Sequence, residues 1–204
     1  MGHVASADGV AVDPDKIRVV LDWPIPKTLK ALRGYLGLTG YYRKFIKGYN
    51  TIAAPLTALT KKDAFLWGDT TQKAFAALKV ALTSPPILAM PNFSIPFIIE
   101  CDASSTRIGA VLMQKGHPIA YVSKELKKPE KWVSAYEREM LAILFATKKR
   151  RQYLLEREFI IKTDHQPLKF LQEQRLYTEA QHTGLLKLHN STSLLLNTKR
   201  VKTM

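Results

Sequence analysis

Three carboxylates stand where a basic chain has little use for surface acids. Asp102 closes the apolar run Phe97-Ile98-Ile99-Glu100-Cys101, and Asp164 closes Phe159-Ile160-Ile161-Lys162-Thr163. Glu139 lies in a long helical stretch, inside Glu139-Met140-Leu141-Ala142-Ile143. Mg²⁺ is held by a few carboxylate oxygens and keeps waters for a substrate phosphate. Two such ions about 4 Å apart activate an attacking water and stabilise the leaving oxygen in phosphodiester hydrolysis. That chemistry needs acids from separate elements meeting at one edge, and two strand ends beside a helix supply them. Each acid also has a plainer reading. An Asp at a strand end forms turns, and a helical Glu is usually solvated. Helical periodicity does not choose between Glu139 and Glu137, since both flank the apolar stripe.

The surrounding composition names the class of partner. The 204 residues suffice for one or two domains, and 46% apolar content sustains a core. Lys and Arg number 31 against 17 acids, a net charge of +14. Such an excess points to a polyanion, or more plainly to a soluble basic surface. Nucleic acid comes ahead of membrane because no basic amphipathic helix stands out. The excess lies in residues 1–63 and 146–204, while 64–145, which hold Asp102 and Glu139, are nearer balance. One cysteine, Cys101, excludes an internal disulfide and suits a reducing compartment. Residues 1–30 lack the pattern of a signal peptide, and no run approaches membrane-spanning length. No membrane association and an intracellular location, cytoplasm or nucleus, are therefore expected.

The elements that must position the acids follow from periodicity. Residues 14–22 are predicted as a helix, with Pro14 in its first turn and Asp13 and Asp15 at its positive end. Trp23-Pro24-Ile25-Pro26 ends it. Thr28 caps a second helix to about Leu36, where Gly37 and Gly40 punctuate, and Tyr41 to Lys47 begin a third short segment. Residues 51–60 and 70–83 are further helices. After Pro96 the period changes: 97–103, 107–114 and 118–123 are predicted strands, with Lys115-Gly116 as a hairpin turn. A helix over 130–152, a strand over 158–163 and a short helix over 166–173 complete an α/β (α+β) unit behind a small helical module.

The text of the chain is more specific than its pattern. It resembles the C-terminal part of a gypsy-type, plant-like retrotransposon reverse transcriptase. The resemblance is carried by Gly2-His3-Val4, Val12-Asp13-Pro14-Asp15-Lys16-Ile17, Trp23-Pro24 and the run from Leu32 to Ile46. It continues through Pro55-Leu56-Thr57, Ser84-Pro85-Pro86, Glu100-Cys101-Asp102-Ala103-Ser104, Ile108 to Gln114, Tyr136 to Ile143, Thr163-Asp164-His165 and Glu173-Gln174-Arg175. The resemblance implies a polymerase palm edge at 1–13, a thumb-like helical module at 14–63, a connecting segment at 64–92 and a ribonuclease H-like domain at 93–188. It matches Asp102, Glu139 and Asp164 to three of that domain's four metal-binding acids, and its register selects Glu139 over Glu137. The implied reaction is Mg²⁺-dependent (or Mn²⁺-dependent) hydrolysis of RNA in an RNA–DNA hybrid.

The same resemblance carries two departures. The paired-Asp polymerase motif belongs upstream of residue 1, so polymerisation is not expected of this chain. The family's fourth acid, on a helix after one more strand, has no counterpart, so the nuclease-like domain is expected to be truncated before its last strand and helix, with impaired cleavage. Residues 189–204 look out of frame: with synonymous codons, a one-base shift turns Leu194 to Met204 into Phe-Thr-Ile-Glu-Tyr-Lys-Lys-Gly-Lys-Asp-Asn, the family's usual text there. A catalytically dead nucleic-acid-binding remnant and an expressed relic without a selected role are the competing readings.

Other residues carry two readings each. Arg43, Lys44 and Lys47, interleaved with Tyr41 and Tyr42, suit a duplex backbone or simply line the wet side of a packed segment. Lys148, Lys149 and Arg150, followed by Arg151, suit the helix dipole and also nucleic acid. Trp23 and Trp67 are expected to pack rather than stack on bases. His165 is expected at a helix start, and Cys101 as a small core residue.

Overall fold

The computed structural model describes residues 2–6, 9–83, 86–127, 133–155, 157 and 159–163. The predicted helix at 166–173 and the tail at 189–204 lie outside them. The chain divides into two compact units, 1–90 and 91–204.

The first unit opens with a hairpin that periodicity does not announce: β1 (His3–Ser6) pairs antiparallel with β2 (Gly9–Val12). Four residues are too few to show a period of two. Gly9 has φ +137°, and a Cβ there would collide with the Leu88 carbonyl. The close approach lets Val10 exchange both backbone hydrogen bonds with Leu88, at 2.7 and 3.0 Å.

Four helices follow. In α1 (Pro14–Asp22) the Asp13 carboxylate accepts from the Asp15 amide, and Lys79 caps the far end by donating to the carbonyls of Leu21 and Trp23. In α2 (Leu29–Tyr41) the Thr28 hydroxyl accepts from the Ala31 amide at 3.2 Å. This helix runs past its expected end at Leu36. Each helical glycine costs about 1 kcal/mol against alanine, which burial of Leu32, Tyr35 and Thr39 along one face outweighs. The Thr39 hydroxyl also meets the Tyr49 hydroxyl at 2.9 Å, holding the last turn down. A single 3₁₀ turn at Arg43–Phe45 leads to α3 (Tyr49–Ala58), which contains Pro55. Helix α4 (Asp69–Thr83) buries Thr71, Ala74, Phe75, Leu78 and Leu82 and packs on α1 and α3. Tyr35 sits 6.0 Å from the Trp23 ring and 4.6 Å from Phe75, and Trp67 meets Phe75 edge-on at 5.7 Å. Both tryptophans are packing residues of this unit.

The described residues of the second unit hold a four-stranded sheet of order β5-β4-β3-β6. Strands β3 (Phe97–Ala103), β4 (Arg107–Gln114) and β5 (His117–Glu125) form an antiparallel meander. Strand β6 (Phe159–Lys162) returns parallel to β3. The first two strands have their expected bounds, and β5 is longer by one residue before and two after. Lys115 (φ 49°) and Gly116 (φ 79°) both adopt left-handed backbone, as a two-residue turn matched to strand twist requires. Gln114 is buried, and its side-chain amide accepts from the Asn92 amide and donates to the carbonyls of Asn92 and Ile95, fastening the segment that leads into β3.

Of the long helix predicted over 130–152, the described residues form α5 (Ala135–Lys149) and α6 (Arg151–Leu154), broken at Arg150. There the guanidinium donates to the Tyr121 carbonyl on β5. The buried face of α5, with Met140, Ala142, Ile143 and Ala146, covers β3 and β4.

Candidate active site

The two candidate glutamates have separate tasks. Glu137 is the third residue of α5, and its carboxylate accepts from the backbone amide and hydroxyl of Ser134, both at 2.8 Å. The Ser134 hydroxyl accepts in return from the Glu137 amide, completing a capping box. Glu137 is thereby spent on the helix start. Glu139, two residues on, faces the sheet and is 5% exposed. The structure separates two residues that helical periodicity leaves equal.

Burying a carboxylate is expensive without hydrogen-bond donors, and Glu139 has them. Its Oε1 accepts from the Ala103 amide at 3.1 Å, and its Oε2 accepts from the Thr163 hydroxyl at 3.3 Å. Both donors lie where β3 and β6 part. The register between these strands ends at Glu100 opposite Lys162. The Ser104 amide donates toward β4, to the Arg107 carbonyl, so the Ala103 amide points to the β6 side. Glu139 takes up that amide where the ladder has run out.

The two donors are the sequence neighbours of the other candidate acids: Ala103 follows Asp102, and Thr163 precedes Asp164. Asp102 itself is exposed, while Cys101 before it and its near neighbour Ile99 are buried, as strand alternation requires. Burial, then the charges of Glu139, Asp102 and Glu100, push the Cys101 thiol up, so this thiol stays protonated and shares a neighbourhood with both acids. On the next rung, Lys162 pairs with Glu100 at 3.0 Å. Asp164 and His165 lie outside the described residues. Among the described residues no three His, Cys, Asp or Glu side chains form a metal-binding group.

A sheet of this order, with an acid-bearing helix crossing it, has known relatives. The family description "RNase H-like domain found in reverse transcriptase" matches residues 67–161. The Pol polyprotein of transposon 297 from Drosophila melanogaster is 46% identical over 84% of this chain and 16% of its own length. That of transposon gypsy from the same organism is 40% identical over 83% of this chain and 18% of its own. The chain carries the RNase H-like domain of a retrotransposon reverse transcriptase. It thus spans under a fifth of these polyproteins. Among solved structures, a foamy viral protease-reverse transcriptase in complex with double-stranded DNA superposes with a TM-score of 0.82 at 20% identity, covering 93% of this chain and 35% of that one. The same kind of enzyme with an RNA/DNA hybrid gives 0.79 at 20% identity, over 100% of this chain and 30% of that one. At such identity the likeness speaks for the fold.

RNase H-like domains generally use divalent metal ions, and Asp102 on β3 and Glu139 on α5 offer the class of oxygen ligand such an ion takes. The Ala103 amide and the Thr163 hydroxyl hold the two Glu139 oxygens at the strand ends. All the candidate donors are hard carboxylate oxygens, the kind Mg²⁺ prefers.

The expected basic contacts fall in both units. Arg43 and Lys47 are exposed, and the Lys44 ammonium lies 5.1 Å from the Phe45 ring centroid. Tyr42, Phe45 and Ile46 are buried, while Tyr41 is 55% exposed. The segment therefore packs its apolar side and presents cations with one aromatic ring outward. Lys148 and Lys149 are exposed at the C-terminal end of α5. Arg150 is partly buried and engaged with Tyr121, a tie that sequence spacing could not show. Among the described residues no helix is long and apolar enough to cross a membrane.

Proposed function

We propose that this fragment hydrolyses RNA in RNA–DNA hybrids, with Asp102, Glu139 and Asp164 as the ligands of Mg²⁺ or Mn²⁺. The observation that carries the reading is the buried Glu139 carboxylate, held by donors adjacent in sequence to the other two acids. When bound, the metal would supply an activated water and neutralise charge on the scissile phosphate. The chain's own part is to bring the carboxylates of Asp102 and Glu139 together from β3 and α5, with Asp164 following Thr163 in the sequence. Residues 93–188 form the nuclease-like domain in this reading, 14–63 the thumb-like module, 64–92 the connecting segment and 1–13 the palm edge. Arg43, Lys44, Lys47, Lys148, Lys149 and Arg150 grip the phosphate backbone, which fixes position without reading sequence.

The test is cleavage of a labelled RNA–DNA hybrid with Mg²⁺ by the full chain, beside Asp102→Asn, Glu139→Gln and Glu137→Gln. Metal-dependent cleavage abolished by the first two and retained by the third is expected. Salt-sensitive hybrid binding with no cleavage would replace this reading with that of a nucleic-acid-binding remnant.

A further inference from the structure

Thr163 is the residue that the nuclease reading leaves without a task, and its setting is unusual. It is 4% exposed, and its hydroxyl donates to a buried carboxylate on another element. It also stands one residue past the last paired position of β6. A threonine at a strand end ordinarily serves a turn or the ladder. Here it faces Glu139 across the opening between β3 and β6.

We propose that Thr163 is a positioning residue for metal binding: its hydroxyl, with the Ala103 amide, fixes the Glu139 carboxylate so that both oxygens are presented at the strand ends. The inference rests on the reading of Glu139 as a metal ligand. A glutamate has three side-chain torsions, and a long helical side chain held at only one oxygen can still swing about its last one. Two donors from separate segments of the chain, one at each oxygen, restrict that freedom. The Ala103 amide is backbone and is fixed by the β3–β4 pairing that continues beside it, Ala103 opposite Ile108. Of these two donors, Thr163 is the one that depends on a side chain. Its methyl group contributes burial, its hydroxyl the direction, and serine keeps the second without the first.

The experiment measures Mn²⁺ affinity of the full chain by electron paramagnetic resonance for the wild type, Thr163→Val, Thr163→Ser and Glu139→Gln, with circular dichroism confirming fold. Loss of a partner that orients a metal ligand weakens binding by about tenfold or more, so Thr163→Val should fall by that factor and Thr163→Ser should remain near wild type. A folded Thr163→Val chain with wild-type affinity overturns the proposal. So does Thr163→Ser binding as poorly as Glu139→Gln, which decides the matter even if the valine variant does not fold. Glu139→Gln binding Mn²⁺ like the wild type would overturn the nuclease reading, and this one with it. Glu139→Gln losing the metal while Thr163→Val keeps it sinks only the role of Thr163.

Discussion

Tyr35 shows at the scale of one residue that the helical unit buries a polar group at a cost. Its side chain is fully buried between Trp23 and Phe75, yet its hydroxyl has no hydrogen-bond partner among the described residues. Burial, then the neighbouring Tyr49, raise its pKa above the ordinary 10.0. A group whose folded pKa is raised contributes stability that is present below its unfolded value and lost as pH climbs beyond it. The unit should therefore weaken above pH 10, as the unfolded tyrosine ionises first. Tyr35→Phe removes an unsatisfied hydroxyl worth about 1–3 kcal/mol in lost solvation. Urea unfolding should show the variant at least as stable as wild type at pH 7 and less sensitive to alkali. A marked destabilisation at pH 7 would mean that the hydroxyl has a partner. The glutamates make the matching point about legibility. Spacing leaves Glu137 and Glu139 flanking the same apolar stripe, and the resemblance selects Glu139. Only the Ser134 box and the Ala103 and Thr163 contacts give the physical reason.

Among the elements, the strands were legible because alternation is local, whereas helix ends depend on what the helix meets. β3 and β4 begin and end where apolar spacing puts them. α2 overrides Gly37 and Gly40 because Thr39 and Tyr49 are ten residues apart in sequence and in contact in space. α5 stops short because Arg150 finds a carbonyl on β5. The hairpin of β1 and β2 depends on Leu88, nearly eighty residues away, and no window of sequence contains both. The turn between β4 and β5 gives the prediction at this scale. Lys115 sits at φ 49°, a conformation that costs a side chain with a full Cβ environment and suits asparagine. Lys115→Asn should stabilise the sheet by about 0.5–1 kcal/mol, read as a higher denaturant midpoint with unchanged slope. A lower midpoint would show that the lysine side chain does something the backbone does not require.

Across the whole molecule, the division into units 1–90 and 91–204 implies two cores that fail separately. Leu56 has no exposed surface and lies in α3, within the helical core. Truncating such a leucine costs about 2–5 kcal/mol. Leu56→Ala should therefore strip hydrogen-exchange protection from α2, α3 and α4 while β3, β4 and β5 keep theirs. Simultaneous loss in both would mean a single cooperative fold. The net charge of +14 belongs to this scale too, since it sets the ionic-strength dependence of any nucleic-acid binding by the chain.

The paired bonds between Val10 and Leu88 give the helical unit a mechanical property. They join Val10, in the strand before the first helix, to Leu88, past the end of the last, so the path of the backbone enters and leaves the helices at nearly one point. A pull applied along the polypeptide would load that two-bond latch before it reached any helix. While the latch holds, α1 to α4 hang from the chain as a closed loop that carries no tension.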